Sequence, residues 1–238
     1  MTINVPGLAT EIRDGIAWIT FDRAQKANAL TVEMLRETAQ LLGEYAADAS
    51  VRAVVLTGSG TRTFTAGADL TPPAGDYAEH RAQGRAQFGA AMLALLDFAK
   101  PAVAAVNGAA CGAGMMLAML CDAAVGTAAA RFSLPEINHG MPTLPGATIT
   151  SRRFDETLAA DLVLSGRFMD ADEALRRGLV KAIVAADQLP AAAQQLALSL
   201  AQKDARAYAH DKRWLNRTLR DELAAALKAS AELHDKTP

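Results

Sequence analysis

The sequence predicts an α/β fold that gives way to a mainly helical C-terminal region. Two patterns lead there. Apolar runs of strand length, Val51 to Thr57, Ala102 to Val106 and Ala123 to Gly126, alternate with stretches of helical periodicity. From Phe154 onward helical spacing dominates, with Leu179 to Val184 as the one further strand. At 238 residues, 51% hydrophobic and 21% charged, the chain is long enough to bury a substantial core as one large domain or as a domain with a small appendage.

The elements follow in order. Thr10 to Arg13 and Ile16 to Phe21 flank Asp14-Gly15, a pair suited to a type I′ turn, so the chain opens with a β-hairpin. Thr31 stands where a hydroxyl caps a helix, and Met34, Leu35, Leu41, Leu42 and Tyr45 fall on one face of that helix. Thr71 to Gly89 is polar, holds Pro72-Pro73 and is expected to be the mobile segment, leading into a helix through Met92, Leu95, Leu96 and Phe98. Pro101 precedes the strand Ala102 to Val106, and a helix begins near Gly112 before the next strand. The C-terminal helices are expected around Ala159 to Ser165, Ala171 to Arg177, Leu189 to Ala201 and Tyr208 to Leu233. No repeat at a solenoid period and no low-complexity linker interrupts the chain.

Charge and composition exclude several classes. A net charge of −2 gives no global field for nucleic acid or an anionic membrane, so an anionic ligand must be held by local cations. Ala102 to Ala130 is nearly uncharged, but Asn107-Gly108 and Asp122 punctuate it into strand, turn, helix and strand, and no membrane span is expected. Cys111 and Cys121 lack metal-ligand spacing with a His pair and read as buried free thiols, so no metal is expected. The first thirty residues hold no basic-then-apolar leader pattern, and the expected location is cytoplasmic. Gly58-Ser59-Gly60 lacks the third glycine of a dinucleotide fingerprint, and there is no Gly-Lys-Ser/Thr for a P-loop.

Two small-residue segments carry the chemistry: Phe64-Thr65-Ala66-Gly67-Ala68-Asp69-Leu70 and Val106-Asn107-Gly108-Ala109-Ala110-Cys111-Gly112-Ala113-Gly114. Each follows a β-like run and lets backbone N–H groups approach a ligand closely. Taken singly, either reads equally well as a tight strand-to-helix turn. As a pair they resemble the two signatures of the enoyl-CoA hydratase/isomerase, or crotonase, superfamily. In that family one N–H from each segment binds the thioester carbonyl of an acyl-CoA, and the resemblance assigns these donors to Ala68 and Ala113. It covers roughly Ile12 to Ile183 and implies a spiral of ββα units, 1–185, with 186–238 as a C-terminal helical region that assembles homotrimers or hexamers. Trp214, Leu215, Leu219, Leu223 and Leu227 supply apolar surface for that assembly.

Further segments extend the likeness. Asp22-Arg23-Ala24-Gln25-Lys26-Ala27-Asn28-Ala29-Leu30 is similar to the family's Asn-Arg-Pro-x-x-x-Asn-Ala-Leu, with Asp22 and Ala24 as departures. The acyl-CoA site it implies comprises Lys26, Ala27, Ala29, Ala66, Gly67, Ala68, Asp69, Leu70, Gly112, Ala113, Pro135 and Gly140. Coenzyme A enters only as part of the substrate, with Lys26 and Arg62 as candidate partners for its phosphates. Asp69 is expected to fix its turn rather than move protons.

The same resemblance puts the hydratases' two catalytic glutamates at positions 116 and 136, where this chain has Met116 and Glu136. Hydration of a 2-enoyl thioester divides its proton work between two carboxylates, whereas double-bond migration needs one base and a held dienolate. The family's mitochondrial Δ3,Δ2-enoyl-CoA isomerases likewise carry an apolar residue in place of the other glutamate. The expectation is therefore an isomerase with Glu136 as acid/base. Enoyl-CoA hydratase activity, another thioester-enolate reaction such as decarboxylation, and non-catalytic acyl-CoA binding are the alternatives. Downstream, Ile137 to Ala147 departs from the hydratases' Pro-Gly-Ala-Gly-Gly-Thr-Gln-Arg, and His139 within it is read as structural or pocket-lining.

Overall fold

The computed structural model describes residues 5–71 and 77–235. Strands β1 (Leu8–Arg13) and β2 (Ile16–Phe21) pair antiparallel. Asp14 and Gly15 join them at φ 49° and 75°, both on the positive side that a type I′ turn demands. Helix α1 (Val32–Ala47) starts where Thr31 Oγ1 accepts from the Met34 N–H at 3.2 Å. Its inner face buries the five expected apolar residues together with Thr38.

The chain then winds through three similar turns. The first contains β3 (Ala53–Gly58), β4 (Thr63–Thr65) and α2 (Tyr77–Asp97); the second β5 (Ala102–Val106), β6 (Ala109–Cys111) and α3 (Ala113–Leu120). The third contains β7 (Ala123–Thr127), β8 (Arg131–Ser133), a 3-10 turn (Pro135–His139) and α4 (Leu144–Arg153). In every turn the first strand joins one sheet and the second joins another. Among the described residues the larger sheet runs β1-β2-β3-β5-β7-β10, with β10 at Ile183–Val184, and the smaller runs β4-β6-β8-β9, with β9 at Met169–Asp170. From β2 to β10 the pairings of the larger sheet are parallel. This is the ββα spiral that the resemblance implied.

The strands of the smaller sheet escaped sequence reading because two or three residues cannot display a period. Helix α4 was also unanticipated. The strand expected over Leu179 to Val184 shrinks to its last two residues, since the Leu179 N–H donates to Ala174 O at 2.9 Å and so closes off α6 (Ala171–Arg176). The polar stretch expected to be mobile is helical from Tyr77, while 72–76, including Pro72-Pro73, lie outside the described residues.

One core fills the space between the sheets and α1 to α4; α3 is buried along all eight residues. A second core lies on the far face of the larger sheet, where Trp18, Val55, Val103 and Val125 meet Leu189, Ala193 and Ala197 of α7 (Leu189–Ala201). Trp18 Nε1 donates to Gln194 Oε1 at 2.8 Å, and Gln194 Nε2 donates to Arg13 O at 3.1 Å, fixing α7 to the hairpin.

The long α8 (Ala205–Asp235) packs along α2 and α4, with α5 (Glu156–Ser165) beside α4. It is anchored by Lys212, only 6% exposed, whose Nζ reaches Asp122 Oδ2 at 2.7 Å and Lys100 O at 3.1 Å. Asp122 Oδ2 also accepts from the Ala102 N–H at 2.8 Å, so one half-buried carboxylate ties the starts of β5 and β7 to α8. Leu219 and Leu223, expected to face a neighbouring subunit, are buried in this chain's own core, and Leu227 packs partly against it. Trp214 and Leu215 are 66% and 77% exposed. Both cysteines are free; Cys121 is buried, its thiol pushed up to about 12 by burial with the nearby Asp122 adding to the effect, but Cys111 is only half-buried. Among the described residues no helix is long and apolar enough to cross a membrane.

Candidate functional site

The segment after β4 is stitched to the chain ahead of α1. The Ala66 N–H donates to Ala27 O, the Leu30 N–H to Gly67 O, and the Asp69 N–H to Leu30 O, at 3.0, 2.8 and 2.9 Å. Thr65 Oγ1 accepts from the Gly67 N–H at 3.1 Å. Ala68 is left between these bonded neighbours. The second segment begins at Gly112, whose N–H donates to Ser133 O at 2.9 Å and which forms the N-cap of α3. Ala113 is the first helical residue, where N–H groups have no carbonyl one turn back and the dipole is positive. Among the described residues, neither the Ala68 nor the Ala113 N–H is paired with a backbone carbonyl.

Gly67 lets the two segments touch. At φ 96°, a Cβ there would stand 2.9 Å from Cys111 O and 3.4 Å from Ala113 N. The two free donors thus belong to loops in direct contact. Backbone donors of this kind carry no removable proton, which suits them to a developing oxyanion.

Glu136 sits on the 3-10 turn behind β8. Its Oε1 is so close to Gly112 that a Cβ at that residue would come within 3.0 Å of it, and its Oε2 is buried with no hydrogen-bond partner. Burial pushes the carboxyl up from its ordinary range; its own backbone N–H, the Thr143 hydroxyl and His139 act in the opposite sense. A carboxyl raised in this way is suited to exchanging protons near neutral pH. Met116 lies one helical turn beyond Ala113 on α3 and is 3% exposed, part of the main apolar core.

The segment resembling the family's CoA path is rigid for reasons visible in its bonds. Asn28 is wholly buried; its Nδ2 donates to Ser59 O and Thr63 O at 3.0 and 2.7 Å, and its Oδ1 accepts from the Arg23 N–H at 3.0 Å. Arg23 Nη1 donates to Ala29 O at 2.6 Å and pairs with Asp69 Oδ2 at 2.8 Å, joining this segment to the one bearing Ala68. Against the upward push of partial burial, hydrogen bonds from Thr71 and the Arg23 guanidinium hold Asp69 down at about 2. The Asp69 carboxyl thus ties its turn to Arg23 and to the Thr71 N–H.

The remaining expected residues divide by exposure. Lys26, Arg62, Ala66, Ala68 and Leu70 are exposed, Ala27, Ala29 and Pro135 are half-buried, and Gly67, Gly112 and Ala113 are buried. Gly140 ends the turn carrying Glu136 at φ 67°, with its N–H committed to Ile137 O at 3.1 Å. His139 is exposed rather than packed. Sequence reading missed two contributors. Arg23 was quoted only as part of a motif, and Thr143 lay in the stretch that departs from the hydratases and so had no template.

Strands divided turn by turn between two sheets, with helices closing each turn, make this a crotonase-like fold. A family model described as enoyl-CoA hydratase/isomerase matches residues 11–238, and the chain belongs to that family of acyl-CoA enzymes. The structure is similar to that of an enoyl-CoA hydratase from Mycobacterium avium subsp. paratuberculosis, with a TM-score of 0.88 at 28% identity over 100% of this chain and 97% of the other. Pseudomonas aeruginosa DspI gives a TM-score of 0.84 at 30% identity, covering 97% and 88% of the two chains. In sequence, the short-chain-enoyl-CoA hydratase of Clostridium acetobutylicum is 34% identical over 224 residues, 91% of this chain and 84% of that protein.

Proposed function

We propose that the protein moves a carbon–carbon double bond in an acyl-CoA thioester, converting a 3-enoyl to a 2-enoyl chain. Glu136 removes a proton from the α-carbon. The electrons spread over a dienolate whose oxygen is held by the Ala68 and Ala113 N–H groups, and the protonated Glu136 returns the proton at the γ-carbon. The observation that carries this reading is the pairing of the Glu136 carboxyl, raised by burial above its ordinary range, with an apolar, core-packed Met116. One base suffices for migration, while hydration also needs a group to activate water at the β-carbon. Non-catalytic binding is disfavoured by the buried, unpartnered Oε2 of Glu136, a feature that destabilises a fold without aiding affinity.

Hydration is the second reading, favoured by the names of similar proteins, of which the Clostridium acetobutylicum hydratase is one. Initial rates on matched 3-enoyl-CoA and 2-enoyl-CoA substrates separate the two. Faster isomerisation is expected; efficient hydration with little isomerisation across chain lengths would overturn the proposal. Assembly into a homotrimer or hexamer is part of the same reading. It is supported by exposed Leu164, Trp214 and Leu215 and by an apolar groove of about 490 Å³ between α4, α5 and α8, and a monomer in light scattering at micromolar concentration would count against it.

A further inference from the structure

The turn ahead of α1 holds an uncommon backbone. Ala27 and Asn28 stand side by side at φ 51° and 53°, in the left-handed region that residues with a Cβ seldom adopt, and such a conformation persists only where its surroundings over-determine it. Arg23 supplies much of that determination. Its carbonyl oxygen accepts from the Lys26 and Asn28 N–H groups at 2.8 and 2.9 Å, and its N–H donates to Asn28 Oδ1 at 3.0 Å. The guanidinium closes the same turn at its far end, where Nη1 donates to Ala29 O at 2.6 Å.

The side chain follows a fixed route to that carbonyl. A Cβ at Gly7 would stand 2.3 Å from Arg23 Cγ and 2.4 Å from its Cδ, so the arginine stem lies against bare backbone, and Gly7 O is itself held by the Asp22 N–H at 2.7 Å. The same Nη1 also pairs with Asp69 Oδ2 at 2.8 Å, between side chains that are 19% and 18% exposed. Asp69 Oδ1 accepts from the Thr71 N–H at 3.0 Å, which leaves the carboxylate little freedom. Asp69 follows directly on Ala68, and Ala68 meets Leu30 in an isolated parallel bridge. One nitrogen therefore joins the turn, whose carbonyls at Ala27 and Leu30 receive the Ala66 and Asp69 N–H groups, to the residue next to the donor.

We propose that Arg23 is a positioning residue for the oxyanion site: its guanidinium, routed over Gly7, locks Asp69 to the turn at Ala27 and Asn28 and so fixes where the Ala68 N–H points. The inference rests on the reading of Ala68 as an oxyanion donor. The N–H groups of Ala66, Gly67 and Asp69 all have partners, so among the described residues Ala68 carries the one N–H of this run of four left to face a ligand. Its direction is set by the peptide planes on either side, and Asp69 holds one of them. An ion pair largely shielded from water, with both carboxylate oxygens bonded, fixes geometry in a way that an exposed pair does not. Ala113 needs no such device, because α3 orients its N–H.

Both bonds of the guanidinium leave from one nitrogen, which a lysine Nζ can replace. The test therefore compares Arg23→Met, which keeps a stem over Gly7 and removes the donors, with Arg23→Lys, which keeps a charged donor. Asp69→Ala takes away the acceptor and serves if Arg23→Met does not fold. In protein labelled with nitrogen-15 alanine, the Ala68 and Ala113 amide signals are identified by their loss in Ala68→Gly and Ala113→Gly. Without substrate, the Ala68 signal should move in Arg23→Met and return in Arg23→Lys, with the Ala113 signal unmoved in both. In 3-enoyl-CoA turnover, Arg23→Met should lower kcat about tenfold, since losing an oxyanion donor outright costs on the order of a hundredfold or more and displacing it costs less, while KM stays within about twofold. Arg23→Lys should restore kcat. Lys212→Met, which weakens the fold through α8, should keep full kcat and so separates positioning from stability. An unmoved Ala68 signal, a lysine variant that behaves like methionine, or an equal loss of kcat in Lys212→Met overturns the proposal. If the wild type shows no isomerase turnover, the functional reading fails by itself, and the amide signals, which need no substrate, still decide the role of Arg23.

Discussion

Replacing Gly112 by alanine should damage the site in two separable ways. Its backbone stands at φ 51°, ψ −117°, a conformation that L-residues seldom adopt, and forcing alanine into it costs about 1–3 kcal/mol. The new methyl would also lie 3.0 Å from Glu136 Oε1, closer than ordinary contact, so the carboxyl must shift. Misplacing a reacting group by about 1 Å costs on the order of a hundredfold in rate, so the smaller shift required here predicts about a tenfold loss of kcat. Gly178→Ala isolates the first effect. That glycine is also at positive φ, 79°, but a Cβ there meets nothing within 4 Å. Urea denaturation measures the backbone contribution in both variants, and 3-enoyl-CoA turnover measures the carboxyl shift. A stability loss in both variants with a rate defect confined to Gly112→Ala is expected. Full turnover in Gly112→Ala, or the same rate defect in both, would refute the account of how Glu136 is held.

Glu136→Gln should abolish turnover and yet strengthen the fold at neutral pH. Because burial raises the Glu136 pKa in the folded state, the folded chain holds that proton more tightly than the unfolded one. The resulting stability is present below the unfolded carboxylate pKa of about 4.3 and is lost as pH rises through the folded value. The advantage of glutamine in chemical denaturation should therefore grow from acid toward neutral pH; an advantage independent of pH would count against burial as the cause. Lys212→Met should lose stability, by less than the about 3–5 kcal/mol of a fully buried pair, since the half-buried Asp122 would be left without its ammonium partner, and Asp122→Asn added to it should recover part of that loss. Additive losses in the double variant would mean that the two groups are not coupled.

What the sequence disclosed depended on length and on local chemistry. The hairpin, α1, β5 and α7 were legible because each has either a full period or a diagnostic turn or cap: Asp14-Gly15 and Thr31 acted in the structure as their side chains and backbone freedom demand. The second sheet was not legible, since β4, β6, β8 and β9 are shorter than any period and exist only because the spiral brings them together. At the site, the glycine-rich segments and Glu136 stood out by motif. The forces that set them in place did not. Arg23 reaches Asp69 across 46 positions, a relation that emerges only on folding. The assignment of Leu219 and Leu223 to a subunit interface failed for a related reason: an apolar face says that something covers it, and here the covering is the chain's own α2 and α4.

The two free N–H groups sit on residues that are already alanine. A conventional alanine scan would pass over positions 68 and 113 as if they were empty, and any residue other than proline would keep the N–H groups. Side-chain substitution at the donors themselves therefore has little grip on this half of the proposed site, whereas a change at position 136 replaces the carboxyl itself. The side chains at those two positions can thus change while the geometry of the two N–H groups persists. To expose that geometry directly, the atom itself has to be edited, by an amide-to-ester replacement that substitutes oxygen for the N–H at Ala68 or Ala113 and leaves every side chain in place.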